Sequence, residues 1–337
     1  MPYATDVKDF ALFQQQLLGT WSNKNFPGSR LGGDTHPLSY NIMPLPQISA
    51  QPGQPDYPGY VLKNFKYYET IRFNDGKAIA SPATAPNRGG RFTQDARALF
   101  YDQKVSFAEG PEKGNVVHIE NGTWLSLETV PQALGPYGHG GNEKGEFPPQ
   151  PPWLTVAKQI AVPHGNSVLA LGSYALDGKD PVFHGSPVIK DAAPPYPDPD
   201  YLSVEPYATQ RNHLTDFQNP HPDLATQPNR PLQEAVDIIK PDAYLYWHVT
   251  TELRDYTEPV LHESDKVITV KGKVTNIPFE QKVSRVTEYW ADYWLLSTDK
   301  GKSFDYLAYT QTMLMSMTIG GLQYSFPHVT CNTLTRA

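Results

Sequence analysis

The feature that most constrains the fold is the alternation of side chains in VTEYWADYWLL, residues 286 to 296. One face of an extended chain would carry Thr287, Tyr289, Ala291, Tyr293 and Leu295, and the other Val286, Glu288, Trp290, Asp292 and Trp294. Successive side chains of a β-strand point to opposite faces, so this period of two predicts a strand. The TDKGKS segment that follows is typical of a hairpin turn.

Similar strand-like runs recur along the chain, and no helical pattern alternates with them. They are YVLKNFKYYETIRF, RALFYDQKVSFA, NVVHIENGTWLSLET, AYLYWHVTTELRD, KVITVKGKVTN, SFDYLAYTQTMLMSM and FPHVTCNTLTR. Strands of this number and spacing predict an all-β fold, an antiparallel sheet that closes on itself or folds into a sandwich. The segment PHGN predicts a turn between two short strands, and Asn121-Gly122 predicts a hairpin or a bulge.

The composition is that of a chain able to bury a large core. Of 337 residues, 39% are hydrophobic and 12% aromatic, and 33 are proline. Proline interrupts helices and central strands, so we expect long loops between short elements. Two Pro-rich stretches, near 131–153 and 175–232, lack a periodic apolar pattern, and strands resume after each. We therefore predict a single β-barrel domain over 1–337 with two loop insertions.

The charge limits the kinds of partner that we expect, and the cysteine content limits the covalent links within the chain. The net charge is −7 and no Lys/Arg cluster is present, so nucleic acid is not an expected partner. Cys331 is the only cysteine, which excludes an intrachain disulfide. No apolar run approaches the ~20 residues that span a bilayer, and the first residues lack the pattern of a signal peptide. We expect a soluble, cytoplasmic protein with a small-molecule ligand or substrate and no membrane partner.

A short amphipathic helix is predicted within the first 20 residues. Phe10, Phe13, Leu17 and Leu18 fall near helical spacing there. An extended stretch begins after this helix, at GTWSNKN.

Sequence signatures of the common enzyme classes are absent, which leaves the histidines as candidate functional residues. The chain has no GxSxG, no P-loop, no GxGxxG after a strand and no HExxH. None of its 10 histidines forms a close pair at zinc-like spacing. A metal ion would therefore need ligands from distant strands. The alternative is a cofactor such as haem, which requires only one axial residue from the protein.

His328, in the last strand-like run, has the type and position that a haem ligand needs. Its predicted strand face also carries Thr330, Asn332 and Leu334. Alternating methionines stand just upstream, at Met313, Met315 and Met317. Polarisable methionine suits irregular apolar cavities, so Met313 and Met315 are candidate cofactor contacts. From composition alone, ordinary core packing explains the histidine and the methionines better than a cofactor does.

His164 is the candidate catalytic residue. It lies in the turn PHGN, from which a histidine could reach over the mouth of a barrel and act as a distal acid or base. By spacing alone, a plain turn residue remains the simpler interpretation.

Both ends of the chain resemble a known family. LLGTW at 17–21, after a short helix, is similar to the opening of the nitrobindin and fatty-acid-binding-like β-barrels. The terminal AYTQTMLMSM and PHVTCNTLTRA resemble the last two strands of nitrobindins. The resemblance implies a lipocalin-like barrel in which the C-terminal histidine is the proximal haem ligand, a role that falls here on His328. It covers about fifty residues, and the chain is about twice as long as a minimal small barrel.

We therefore expect a mostly antiparallel, lipocalin-like β-barrel with a short N-terminal helix and long Pro-rich loops. The leading functional hypothesis is a protein that binds haem b through His328 and acts on peroxide, nitrogen oxides or a small organic substrate, as a peroxidase, another oxidoreductase or an isomerase. The alternative is a cofactor-free barrel that binds, cyclises or isomerises an apolar small molecule, in which His328 only packs.

Overall fold

The structure is a computed structural model that describes residues 8–26, 40–46, 60–74, 85–87, 92–108, 110–131, 156–177, 180–189, 229–252, 260–263, 266–269, 271–319 and 322–337. The helices are α1 (Lys8–Leu17), α2 (Arg230–Ile239) and α3 (Pro278–Val283). The strands are β1 (Gly19–Ser22), β2 (Tyr40–Pro46), β3 (Tyr60–Asn74), β4 (Ala85–Asn87), β5 (Phe92–Phe107), β6 (Val116–Pro131), β7 (Val156–Ala161), β8 (Asn166–Tyr174), β9 (Phe183–His184), β10 (Ala243–Thr250), β11 (Val260–Glu263), β12 (Lys266–Thr269), β13 (Lys273–Asn276), β14 (Ser284–Ser297), β15 (Tyr306–Ile319) and β16 (Leu322–Arg336). The predicted all-β fold with a short N-terminal helix is confirmed.

Ten strands close into an antiparallel barrel in the order β8-β7-β6-β5-β3-β1-β16-β15-β14-β10, and β10 pairs back onto β8. Gly172 stands at this closure, opposite Val249. A Cβ at Gly172 would lie 1.8 Å from the carbonyl oxygen of His248, so only glycine lets the two strands approach this closely. The sheet therefore closes into a barrel rather than folding into a sandwich.

Strand β6 corrects one prediction from the sequence, because it runs through Asn121-Gly122 with neither a turn nor a bulge. Glycine is required at position 122 for a different reason. A Cβ at this position would lie 2.1 Å from the carbonyl oxygen of Gln159 and 2.6 Å from the hydroxyl of Tyr101. Glycine thus serves close packing between β5, β6 and β7 rather than chain reversal.

The strand directions give the barrel two distinct ends. Four antiparallel steps separate β6 from β16, through β5, β3 and β1, so β6 and β16 run the same way. We call the end at which both begin the rim, and the opposite end, where α1 leads into β1, the base. The β7–β8 turn at 162–165 lies at the rim, because β7 is antiparallel to β6.

Helix α1 covers the base with its apolar face. Phe13 and Leu17, one turn apart, are 1% and 3% exposed. The Phe13 ring packs at 4.0 Å from that of Tyr174 and edge-on at 5.1 Å from that of Trp247, measured between centroids. The indole N–H of Trp21 donates to the carbonyl oxygen of Leu17 at 2.7 Å, which ties the end of the helix to β1.

Helix α2 covers the outside of β14, β15 and β16. Its Leu232 and Val236 pack against Trp294, Ala308 and Cys331. The opposite face of β14 points inward, where Tyr289 and Tyr293 lie in the main core cluster. Both faces of this strand are therefore buried, which explains why aromatic residues occupy both sides of its alternating sequence.

The turns predicted at PHGN (163–166) and TDKGKS (298–303) are confirmed, since each lies where two paired strands are joined. Most of the insertion near 131–153 lies outside the described residues, as do 190–228 of the second. The single-domain interpretation stays a prediction. None of the helices in the described ranges is both long and apolar enough to cross a membrane.

Candidate functional site

We call the buried layer around Glu69, Glu120 and Lys158 the floor of the barrel. Glu69 points inward from β3 and is 0% exposed. Its carboxylate accepts hydrogen bonds from the Gln103 amide at 2.7 Å and the Asn332 amide at 2.6 Å. The Tyr309 hydroxyl lies 2.8 Å from Oε1 and 2.7 Å from Oε2. Side chains from β3, β5, β15 and β16 thus converge on one carboxyl group.

Burial and hydrogen bonding act on Glu69 in opposite directions. Burial disfavours the charged form, and the donated hydrogen bonds favour it. Burial prevails and raises the pKa of Glu69 to about 7, although Asn332 and Tyr309 oppose it. The Tyr309 hydroxyl can accept as well as donate, so a protonated Glu69 still has a partner. Glu69 is therefore a group that holds a proton close to neutral pH.

A second buried carboxylate, Glu120 of β6, behaves in the opposite way. Its Oε1 lies 3.3 Å from the ammonium nitrogen of Lys158 and accepts a 2.6 Å hydrogen bond from Tyr101. Burial alone would raise the pKa of Glu120, but Lys158, His118 and Tyr101 together lower it to about 2. Burial would lower the pKa of Lys158, but Glu120 and Tyr293 together more than offset this, so the net shift is upward. The pair is ionised in the barrel interior.

Aromatic rings surround the Lys158 ammonium. Its nitrogen lies 5.3–5.6 Å from four ring centroids, those of Tyr101, Trp124, Tyr289 and Tyr293. It also donates to the hydroxyl of Tyr293 at 2.8 Å and of Tyr289 at 3.2 Å. Cation–π attraction and these hydrogen bonds replace the water that the ammonium loses on burial.

The interior between the base and these carboxylates is filled by side chains. Trp21, Trp247 and Tyr289 are each at most 1% exposed, and Tyr309 is 2% exposed. A gap large enough for water would leave part of a neighbouring side chain exposed, so none lies against these rings. A bound molecule of any size has to lie nearer the rim.

His328 lies at the rim and shares the inward-facing row of β16. In that row Asn332 donates to Glu69, and Leu334 is buried in the core cluster. At the usual rise of a strand, four residues place His328 roughly 13 Å above Asn332. Its side chain is half-buried, and its Nε2 lies 3.4 Å from the hydroxyl of Thr330.

The candidate methionines stand beside His328. Met313 is its cross-strand partner on β15 and packs against the core cluster. Met315 follows in the same row, opposite Phe326, and both methionines are half-buried. The side chain of Met317 lies outside the described residues. The structure therefore brings His328, Met313 and Met315 together at one edge of the rim.

His118 and His164 occupy another part of the rim. His118 lies two residues before Glu120 in β6 and shares its inward face, with a side chain 25% exposed. The ring of exposed His164, from the β7–β8 turn, stands edge-on to it at 5.1 Å between centroids. Burial, and then the neighbouring His118, lower the pKa of His164. His164 thus contacts a histidine that faces inward.

Sequence reasoning missed the buried floor. The signal was available in HIE and AKQI, where Glu120 and Lys158 stand inside apolar strands at inward-facing positions. A charge in such a position is almost never buried without a partner, so the two could have been matched by charge. Nothing in the sequence indicates that Glu69 joins a different cluster, because its donors lie 34 to 263 residues away.

The fold and this site define a class of protein: an antiparallel β-barrel with an ionic and aromatic floor and a histidine-bearing rim. No family model matches the chain, and no curated protein matches it. Among solved structures, that of Rv2717c from M. tuberculosis has 13% sequence identity and a TM-score of 0.37, over 98% of each chain. A likeness of that degree carries no argument about function, which has to come from the residues of the site.

Proposed function

We propose that this barrel binds haem b at its rim, with His328 as the axial ligand, and acts there on peroxide, nitrogen oxides or a small organic molecule. The observation that supports this is the position of His328, half-buried on the inward row of β16 above a filled floor. An imidazole in that place is partly accessible, whereas the side chains of the floor are buried. Such a protein would be an oxidoreductase or an isomerase, and its cytoplasmic location stays a prediction.

The residues around His328 fit the chemistry of haem. Among the described residues no group of three or more His, Cys, Asp or Glu side chains is placed to hold a metal ion, but haem needs only one protein ligand. Haem iron, when bound, supplies redox chemistry. The half-buried Met313 and Met315 offer polarisable contacts to a porphyrin edge. Thr330 lies 3.4 Å from the ring nitrogen Nε2 and would have to release it to the metal.

The test is a titration of the full-length protein with hemin, followed by visible absorption. The wild type should develop a sharp Soret band that saturates at one equivalent. His328→Ala should lose or shift that band and bind hemin at least about tenfold more weakly, since one coordinate bond is lost. His184→Ala is the matched control, because His184 is exposed on β9. Equal spectra and affinities for the wild type and His328→Ala would refute axial ligation by His328.

The second candidate is the cofactor-free barrel that binds or isomerises an apolar small molecule, in which His328 is a packing residue. Met313 lies opposite His328 and packs against the core cluster, so this edge of the rim offers apolar contacts without a cofactor. A fluorescent apolar probe that binds the hemin-free protein, and that hemin fails to displace, would favour this candidate.

A further inference from the structure

We propose that His118 is an acid–base group of the rim, that Glu120 determines which of its ring nitrogens carries the proton, and that His164 is a positioning residue that packs against its ring. The proposal extends the proposed function, on which it depends for the ligand at the rim, but the Glu120–His118 pairing can be tested without haem. His118 and His328 would then serve the same bound molecule from different walls.

The orientation of Glu120 carries the proposal. Its Oε1 is occupied by Tyr101 and Lys158. Its Oε2 is buried, has no hydrogen-bond partner among the described residues, and faces Nε2 of His118 at 3.6 Å. A buried carboxylate oxygen without a donor is costly, and a small movement of the partly exposed His118 ring would supply one. Glu120 therefore contacts Lys158 through Oε1 while its Oε2 faces the rim.

The carboxylate fixes the tautomer of a neutral His118. Neutral imidazole has one N–H donor and one acceptor nitrogen, and the negative oxygen attracts the N–H. The proton then resides on Nε2, and the lone pair of Nδ1 remains available. When a weak acid HX binds at the rim, Nδ1 takes its proton, the electron pair of the broken H–X bond stays on X, and the imidazolium is paired with Glu120. Return of the proton to product or water restores neutral His118.

Other charged and titratable groups near His118 support this cycle. Lys158 lies behind Glu120 and keeps that carboxylate ionised, so Glu120 does not take the proton itself. Glu69 also interacts electrostatically with His118. His164 packs edge-on against the His118 ring and limits its rotation. Within the closed ring of ten strands, β6 and β16 are four positions apart. His118 and His328 therefore lie on nearly opposite walls of the rim.

The first test is the tautomer, read from long-range ¹H–¹⁵N correlations of the full-length protein without haem, at a pH where His118 is neutral. His118→Gln identifies the resonance. We expect the Nε2–H form in the wild type. The Nδ1–H form would overturn the pairing with Glu120, and this measurement needs no variant that disturbs the buried floor.

The second test uses cyanide as the weak acid, with hemin-loaded protein. Cyanide binds as an anion and leaves its proton behind, so a base at the rim should speed association. His118→Gln should slow it by about tenfold or more, within the usual range for one acid–base group. His184→Gln, on an exposed strand, should not change the rate. An unchanged rate in His118→Gln would overturn the acid–base role. Failure of the wild type to bind hemin would refute the haem proposal and this extension of it, and the tautomer would still decide the Glu120–His118 pairing.

Discussion

The charge state of Glu69 gives the sharpest prediction about stability. In Glu69→Gln the amide keeps the shape of the side chain but cannot ionise. In the wild type, burial raises the pKa of Glu69 from 4.5 to about 7. Between those two values the folded state binds a proton that the unfolded state has lost, so the free energy of unfolding falls as pH rises. A shift of that size corresponds to roughly 3 kcal/mol across the interval.

Glu120 has the opposite sign and acts in a different pH range. Its folded pKa of about 2 lies below the ordinary 4.5. The stability it contributes is present above pH 4.5 and is lost as pH falls towards 2. The two buried carboxylates thus predict a maximum of stability near pH 4.5, with Glu120 responsible for the acid side and Glu69 for the neutral side.

The assay is urea unfolding followed by tryptophan fluorescence at a series of pH values from 4 to 8, since Trp21, Trp124 and Trp247 are buried reporters. The difference in unfolding free energy between wild type and Glu69→Gln should change by roughly 3 kcal/mol over this range, to the advantage of the variant at higher pH. Glu234→Gln is the control, because it removes one negative charge from the surface pair with Arg230 and should alter stability by less than about 1 kcal/mol.

The reasoning would be refuted if wild type and Glu69→Gln showed the same pH dependence. Parallel curves would mean that the hydrogen bonds from Gln103, Tyr309 and Asn332 offset burial and leave the pKa of Glu69 at its ordinary value. A wild type that loses more stability than the variant as pH falls would mean that these hydrogen bonds outweigh burial, because a lowered pKa reverses the sign.

Three further substitutions test the packing of the barrel by urea unfolding. Lys158→Met should cost about 3–5 kcal/mol at neutral pH, because it leaves Glu120 buried and unpaired, and the loss should shrink in acid as Glu120 takes up a proton. Phe13→Ala should cost about 3–5 kcal/mol by removing the ring that fills the base; a loss below about 1 kcal/mol would mean that α1 does not seal the barrel. Gly122→Ala should destabilise strongly because its Cβ would meet a carbonyl oxygen at 2.1 Å, whereas Gly165→Ala, with its closest contact at 3.5 Å, is the matched control.

The sequence was sufficient to predict the strands but not the residues of the candidate site, for a physical reason. Alternation along β14 is a local pattern, and it correctly placed Tyr289 and Tyr293 on one strand face, which the structure shows to be the inward one. The strand pattern alone left open a barrel or a sandwich, since closure depends on Gly172 meeting β10, far away in sequence, and the barrel was predicted from the resemblance at the two ends of the chain. Asn121-Gly122 misled because glycine signals a turn and a close strand approach equally well.

The same limit applies to the functional residues. The strand face of His328 could be read from local alternation, whereas the proposed role of His118 depends on Glu120, which in turn is paired with Lys158 of the neighbouring strand β7. Pairings between strands are not encoded locally, so a mid-strand histidine had no distinguishing feature in the sequence. Axial ligation by His328 and a catalytic role for His164 stay predictions.

The filled floor separates the residues that stabilise the barrel from those that can meet a ligand. Glu69 is 0% exposed and is hydrogen-bonded to Asn332, which lies roughly 13 Å from His328 along the inward row of β16. Its replacement should therefore alter the free energy of unfolding and leave hemin affinity unchanged, while His328→Ala should do the reverse. Glu120 is the exception, because one of its oxygens is held by Lys158 and the other faces His118. A change at Glu120 should therefore alter both stability and rim chemistry, whereas a change at Glu69 should alter stability alone.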